Sequence, residues 1–89
     1  MEKTSFKTWI ITGSARGLGR AILTAVLERG DAVLATARNI AQLADLKALH
    51  GDRLRPFELD VTDEAQTVEA AAAAIAAFGR IDVLVNNAG

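Results

Sequence analysis

The chain has 89 residues, 51% of them hydrophobic and 24% charged, with 11 acidic against 10 basic side chains and a formal net charge of -1. That length holds one globular domain at most, and the near balance of charge gives no pull toward nucleic-acid phosphates or an anionic membrane surface. With no cysteine and a single histidine, His50, the composition excludes disulfides, thiolate metal sites and thiol nucleophiles, so any redox chemistry must come from an organic cofactor.

The first apolar run, residues 8–12, has strand length and β-favouring side chains, and Gly13 ends it. From residue 17 to 29 the apolar positions Leu18, Ala21, Ile22, Ala25 and Val26 recur at helical spacing, with Gly30 placed to close the helix. Residues 32–37 form a second apolar run. Asn39 can then cap a single helix carrying Ile40, Leu43, Leu46, Ala48 and Leu49, stopped by Gly51. Residues 54–59 read as a third strand, and Pro56 within it suits a sheet edge. Thr62 or Asp63 would cap a third helix, alanine-rich from residue 70 to 77 and ended by Gly79, before a fourth strand at residues 81–85. No apolar run approaches the ~20 residues of a membrane span, and the polar start of the chain does not read as a secretory signal. A cytoplasmic protein with no membrane and no nucleic-acid partner is expected.

Strands that read as continuous apolar runs, alternating with helices, predict an α/β fold: a doubly wound, Rossmann-like parallel sheet, βαβαβαβ, covered on both faces. With right-handed crossovers its strand order is 3-2-1-4 and ligands bind where the order reverses, between strands 1 and 4. Residues 1–89 are then expected to be the N-terminal part of a single Rossmann-like domain whose sheet stops after strand 4, with an open apolar edge there. Such edges template association.

The turn from strand 1 into the first helix reads Thr12-Gly13-Ser14-Ala15-Arg16-Gly17-Leu18-Gly19. Gly13 permits the tight turn, Gly17 lets backbone amides approach a pyrophosphate, and Gly19 lets the helix pack closely. The helix N-terminus adds free N–H donors and partial positive charge, so the placement of this loop in a βαβ unit points to dinucleotide binding. The end of strand 2 speaks to which dinucleotide. An NAD site carries an acid there for the adenosine ribose, but residues 32–44 contain none, and Arg38 stands in its place with Arg16 in the loop. Two guanidiniums without a carboxylate suit a 2′-phosphate, so NADP is the expected cofactor, with NADPH preferred over NADH.

TGxxxGxG in the loop, Asp60-Val61 after strand 3 and Asn86-Asn87-Ala88-Gly89 after strand 4 together resemble the short-chain dehydrogenase/reductase family. The resemblance runs from about residue 7 to residue 89. It implies that Gly13, Ser14, Arg16, Gly17, Leu18 and Gly19 hold the phosphates and that Asp60 and Val61 flank the adenine. It further implies that Asn87, Ala88 and Gly89 line the ribose and nicotinamide path, while Asn86 ties strand 4 to its neighbours. The implied activity is that of an oxidoreductase moving hydride between the nicotinamide and a small-molecule alcohol or carbonyl compound. A binding or sensing module without catalysis is the alternative. A homo-oligomer is compatible with the family but not legible in these residues, and neither is the substrate.

Other features carry structural readings. Trp9 in a buried strand is a packing residue, His50 near a helix C-terminus is a surface residue, the alanine run suits packing on a sheet, and Asp63 and Glu64 suit the first turn of a helix. The family's serine and its Tyr-xxx-Lys pair follow NNAG, whereas these residues end at Gly89 and include no tyrosine, so no catalytic residue is assigned. Residues 1–89 alone are therefore expected to turn over no alcohol or ketone. A spectrophotometric assay of NADPH consumption checks this; turnover above a denatured control, abolished by a substitution in the glycine loop, would overturn it.

Overall fold

The computed structural model describes residues 6–60 and 64–87. Its strands are β1 (Thr8–Ile11), β2 (Ala32–Ala37), β3 (Leu54–Glu58) and β4 (Val83–Val85), and its α-helices are α1 (Gly17–Glu28), α2 (Ala44–His50) and α3 (Glu64–Phe78). The sheet has the order β3-β2-β1-β4 with every pair parallel, as the alternation of elements predicts. Pro56 lies on β3, an edge strand, where its missing N–H removes no ladder bond to an outer neighbour.

All six residues of β2 are buried because the strand runs through the middle of the sheet with side chains entering both layers. Val33, Ala35 and Ala37 join Ile11, Leu23, Val26, Leu27, Leu43, Leu46 and Leu54 in the larger core cluster. Leu34 points the other way, toward Ile10, Ala70 and Ala74 of α3. Fully buried side chains such as Leu23, Leu27, Leu43 and Leu54 each contribute about 1.5–3 kcal/mol. The α3 layer is thinner, and the expectation of a sheet covered on both faces holds only in part. Leu84, in register with Ile10, stays 61% exposed, and Val68 and Ile75 of α3 are exposed as well.

Five boundaries differ from the sequence reading; β1 ends at Ile11 and α1 at Glu28, each one residue early. The single helix expected after Asn39 is split, with a 3-10 turn at Ile40–Leu43 preceding α2. The Asn39 side chain does accept from the Ala41 N–H at 3.1 Å, while Arg20 reaches across from α1 to the Gln42 carbonyl at 3.1 Å and pairs with Asp45. These cross-links hold the junction in the tighter turn. β4 begins at Val83 rather than Ile81 because Asp82 enters it through its side chain: its carboxylate accepts from the Thr8 N–H at 2.8 Å while its own N–H donates to the Thr8 carbonyl at 2.8 Å. β3 stops at Glu58, one residue early. The expected caps Thr62 and Asp63 lie outside the described residues.

The opposite end of the sheet from the glycine loop is closed by polar bonds. Asp31, buried at the start of β2, accepts from the Lys7 N–H at 3.1 Å and from the Trp9 indole N–H at 3.0 Å. Trp9 thus packs on the core with its one polar atom satisfied. His50 is half-buried rather than a plain surface residue, with its Nδ1 3.3 Å from the Arg53 guanidinium. Among the described residues no helix is long and apolar enough to cross a membrane.

The Asp82 carboxyl is held below its ordinary value, first by the Thr8 N–H and then by Arg80. A carboxylate with a lowered folded pKa adds stability that is present above the unfolded value of about 3.9 and lost as pH falls through the folded one. Asp82→Asn is expected to be less stable than the parent at pH 6, with the two converging in acid. Urea unfolding of both proteins across pH 2–6 measures it, and a gap of constant width would remove the carboxylate charge from the account.

Candidate cofactor site

The glycine loop leaves the C-terminal end of β1 beside the C-terminal ends of β2 and β4, at the point where the strand order reverses. Its backbone is tied on both sides. The Thr12 N–H donates to the Val85 carbonyl at 3.0 Å, and the Ser14 N–H and hydroxyl both donate to the Thr36 carbonyl, at 3.0 and 2.9 Å. Asn87 closes the third side: its N–H donates to Thr12 Oγ1 at 2.8 Å and its amide Nδ2 to the Gly13 carbonyl at 3.2 Å. The Thr12 hydroxyl also lies 3.3 Å from Asn86 Oδ1.

Within this frame the three glycines do different work. Gly13 turns the chain at φ +61°, and a Cβ there would sit 2.2 Å from the Asn87 carbonyl oxygen. A Cβ on Gly19 would sit 2.1 Å from the Gly13 oxygen and 2.6 Å from Asn87 Nδ2, so α1 approaches the loop and Asn87 more closely than any side chain allows. Gly17, at φ +64°, has nothing within 4 Å of its missing Cβ, and its side faces open space. α1 starts beside that space with Arg16 as an extended N-cap residue, no side-chain cap and no acid in its first turn. Its first amides and its positive end are therefore left for an anion.

The expected site residues divide accordingly. Arg16 and Leu18 are exposed at the loop, Leu18 by 68%. Ser14 is fully buried, and its hydroxyl donates to the Thr36 carbonyl, which braces the loop against β2. Asn87 takes over most of the tie that the sequence reading gave to Asn86. Arg38 and Asp60 come together from the ends of β2 and β3, lining a cleft of ≈ 240 Å³ with Glu58, Leu59 and Gln66. Gln66 Oε1 accepts from the Asp60 N–H at 2.7 Å, fixing the exit from β3 against α3. Val61, Ala88 and Gly89 lie outside the described residues. Glu58 and Gln66 were not legible as cleft residues; the pairing of Glu58 with Ala37 is the signal that finds the first.

The sequence profile of the short chain dehydrogenases matches residues 7–89. The chain belongs to the short-chain dehydrogenase/reductase family. It is 52% identical over 84 residues to the oxidoreductase BOA17 of Botryotinia fuckeliana, a match covering 93% of this chain and 31% of that protein. Among solved structures it resembles a short-chain dehydrogenase from Streptomyces avermitilis with a TM-score of 0.90 and 48% identity, over 96% of this chain and 31% of that one. It also resembles the 3-ketoacyl-(acyl-carrier-protein) reductase of Brucella melitensis, solved with NADH, with a TM-score of 0.85 and 32% identity, over 93% of this chain and 34% of that one. The chain spans about a third of the length of the curated relatives it matches.

The two glycines at α1 separate space from conformation. Gly17→Ala is expected to cost about 1–2 kcal/mol, the strain of a left-handed residue with room for its methyl. Gly19→Ala must push α1 off the Gly13 carbonyl and is expected to cost more, about 2–4 kcal/mol. Thermal unfolding of the two variants beside the parent checks the order; equal losses would contradict the close approach.

Proposed function

We propose that residues 1–89 are the first part of a single nucleotide-binding domain that holds NADP(H) for an oxidoreductase acting on a small-molecule alcohol or carbonyl compound. The observation that carries the reading is the uncapped, acid-free N-terminus of α1 opening beside the bare side of Gly17. It is a cradle for a pyrophosphate, which a Cβ at position 17 would begin to fill. The Brucella reductase solved with NADH supports a nicotinamide dinucleotide in a frame of this shape. When bound, the cofactor supplies the hydride that passes to or from the substrate carbon.

In this reading Gly13, Arg16, Gly17, Leu18 and Gly19 hold the pyrophosphate, with Ser14 keeping the loop in shape from beneath. Asp60 and Val61 flank the adenine, and Asn87, Ala88 and Gly89 line the path toward the nicotinamide. Arg38, exposed at the end of β2, takes the adenosine 2′-phosphate together with Arg16. Neither guanidinium forms a hydrogen bond or ion pair among the described residues, so both forks are open to phosphate oxygens. The protein is expected to work in the cytoplasm.

One charge-assisted bond to the 2′-phosphate is worth about 1.5–3 kcal/mol, which corresponds to a preference for NADPH over NADH of roughly tenfold or more. Arg38→Asp is expected to reverse the order, since a carboxylate repels the phosphate and accepts from ribose hydroxyls. Fluorescence titrations of the full-length protein and this variant with both cofactors at fixed salt are the test. Equal affinities in the parent, or an unmoved ratio in the variant, would defeat the NADP reading.

A further inference from the structure

Residues 32–44 hold no acid, so the end of β2 taken alone offers the adenosine ribose only a guanidinium. The fold adds a carboxylate. β3 runs parallel to β2 with Glu58 in register with Ala37, the residue before Arg38. At the ends of the two strands, Arg38 and Glu58 line the same cleft of ≈ 240 Å³, together with Leu59, Asp60 and Gln66. Both charged side chains are exposed, and they form no ion pair with each other or with any other described residue. Arg38 and Glu58 therefore present opposite, unpaired charges to a cleft that Asp60 also lines.

We propose that Glu58 is a specificity-determining residue of the cofactor site. From β3 it supplies the acid that β2 lacks, opposing a 2′-phosphate and offering an acceptor to the hydroxyls of an unphosphorylated ribose. The inference rests on the dinucleotide-binding reading above and concerns how sharply that site discriminates. Arg38 draws the phosphorylated cofactor in, and Glu58 limits the margin by which it wins. A phosphate carrying nearly two negative charges and a carboxylate lining the same cleft repel each other enough to change a dissociation constant by roughly three- to tenfold at low salt.

The full-length protein and its Glu58→Gln and Glu58→Asp variants are titrated with NADPH, NADH, adenosine 2′,5′-bisphosphate and 5′-AMP. The last two probes occupy only the adenosine end. Glu58→Gln is expected to raise the affinity for the 2′-phosphorylated probe of each pair, relative to its unphosphorylated partner, by roughly three- to tenfold. The gain shrinks as salt is raised, because the repulsion removed is screened. Glu58→Asp keeps the charge and stays near the parent ratio, and Glu58→Ala, which removes it, moves the ratio in the same direction as Glu58→Gln. An unchanged ratio in Glu58→Gln with all four probes still bound overturns the role of Glu58 and leaves the dinucleotide reading standing. Failure of the parent to bind any of the four overturns both.

Discussion

The site depends on how closely α1 can approach the glycine loop. Without a side chain at position 19, the first turn of the helix rests on the Gly13 carbonyl and the Asn87 amide, and that contact aims the helix N-terminus into the crevice between β1 and β4. The rest of the loop follows from the same contact. Thr12, Ser14 and Asn87 bind it to β2 and to the end of β4 through backbone and side-chain bonds, so its shape is set by the sheet. A preformed anion cradle loses little conformational freedom on binding, which is where a flexible loop would forfeit affinity.

Beyond the cradle the chemistry is laid out by strand order. Only β2 and β3, adjacent in the sheet, can bring Arg38, Glu58 and Asp60 to one cleft, and only β1 and β4 can bring Asn87 against Gly13. Two regions of different charge result along one edge of the sheet. The helix end offers donors without acids, while the cleft mixes a cation with acids. An elongated ligand with a doubly charged middle and a ribose at one end matches that sequence of environments, and this match, more than any one residue, supports a dinucleotide over a lone phosphate.

Most of the fold was legible because the hydrophobic pattern had no competitor. β2 is buried on both faces, so its six residues read as an apolar run interrupted only by Thr36, and its limits were found without error. Where a long-range polar bond competes with the local pattern, the reading slips. α2 loses its first turn to a 3-10 segment braced by Arg20, and β4 loses two residues to the side chain of Asp82. The same holds at the site. Gly13, Gly17 and Gly19 were legible from spacing, because glycine is demanded by backbone geometry that a motif records. The burial of Ser14 and the place of Glu58 were not, because the first depends on where Thr36 aims its carbonyl and the second on the register of two strands, neither of which is written in a local window.

The two ends of the sheet differ in what their arginines and several of their acids do. At the N-terminal ends of the strands, Asp31, Arg53, Arg80 and Asp82 are bonded to partners within the chain: Asp31 to Lys7 and Trp9, Arg53 to the Leu27 and Asp31 carbonyls, Arg80 to Asp82, and Asp82 to Thr8. These bonds lie far from the glycine loop and serve the fold. At the C-terminal ends, Arg16, Arg38 and Glu58 form no such bond among the described residues, and the helix beside them is uncapped. Exposed ion pairs contribute little to stability, so leaving these charges unpaired costs the fold almost nothing. It also spares a ligand the task of breaking an internal pair before making its own. With these three side chains unpaired, the C-terminal end of the sheet is available for recognition, and in parallel α/β sheets that is the end at which the loops, the helix dipoles and the strand-order reversal coincide.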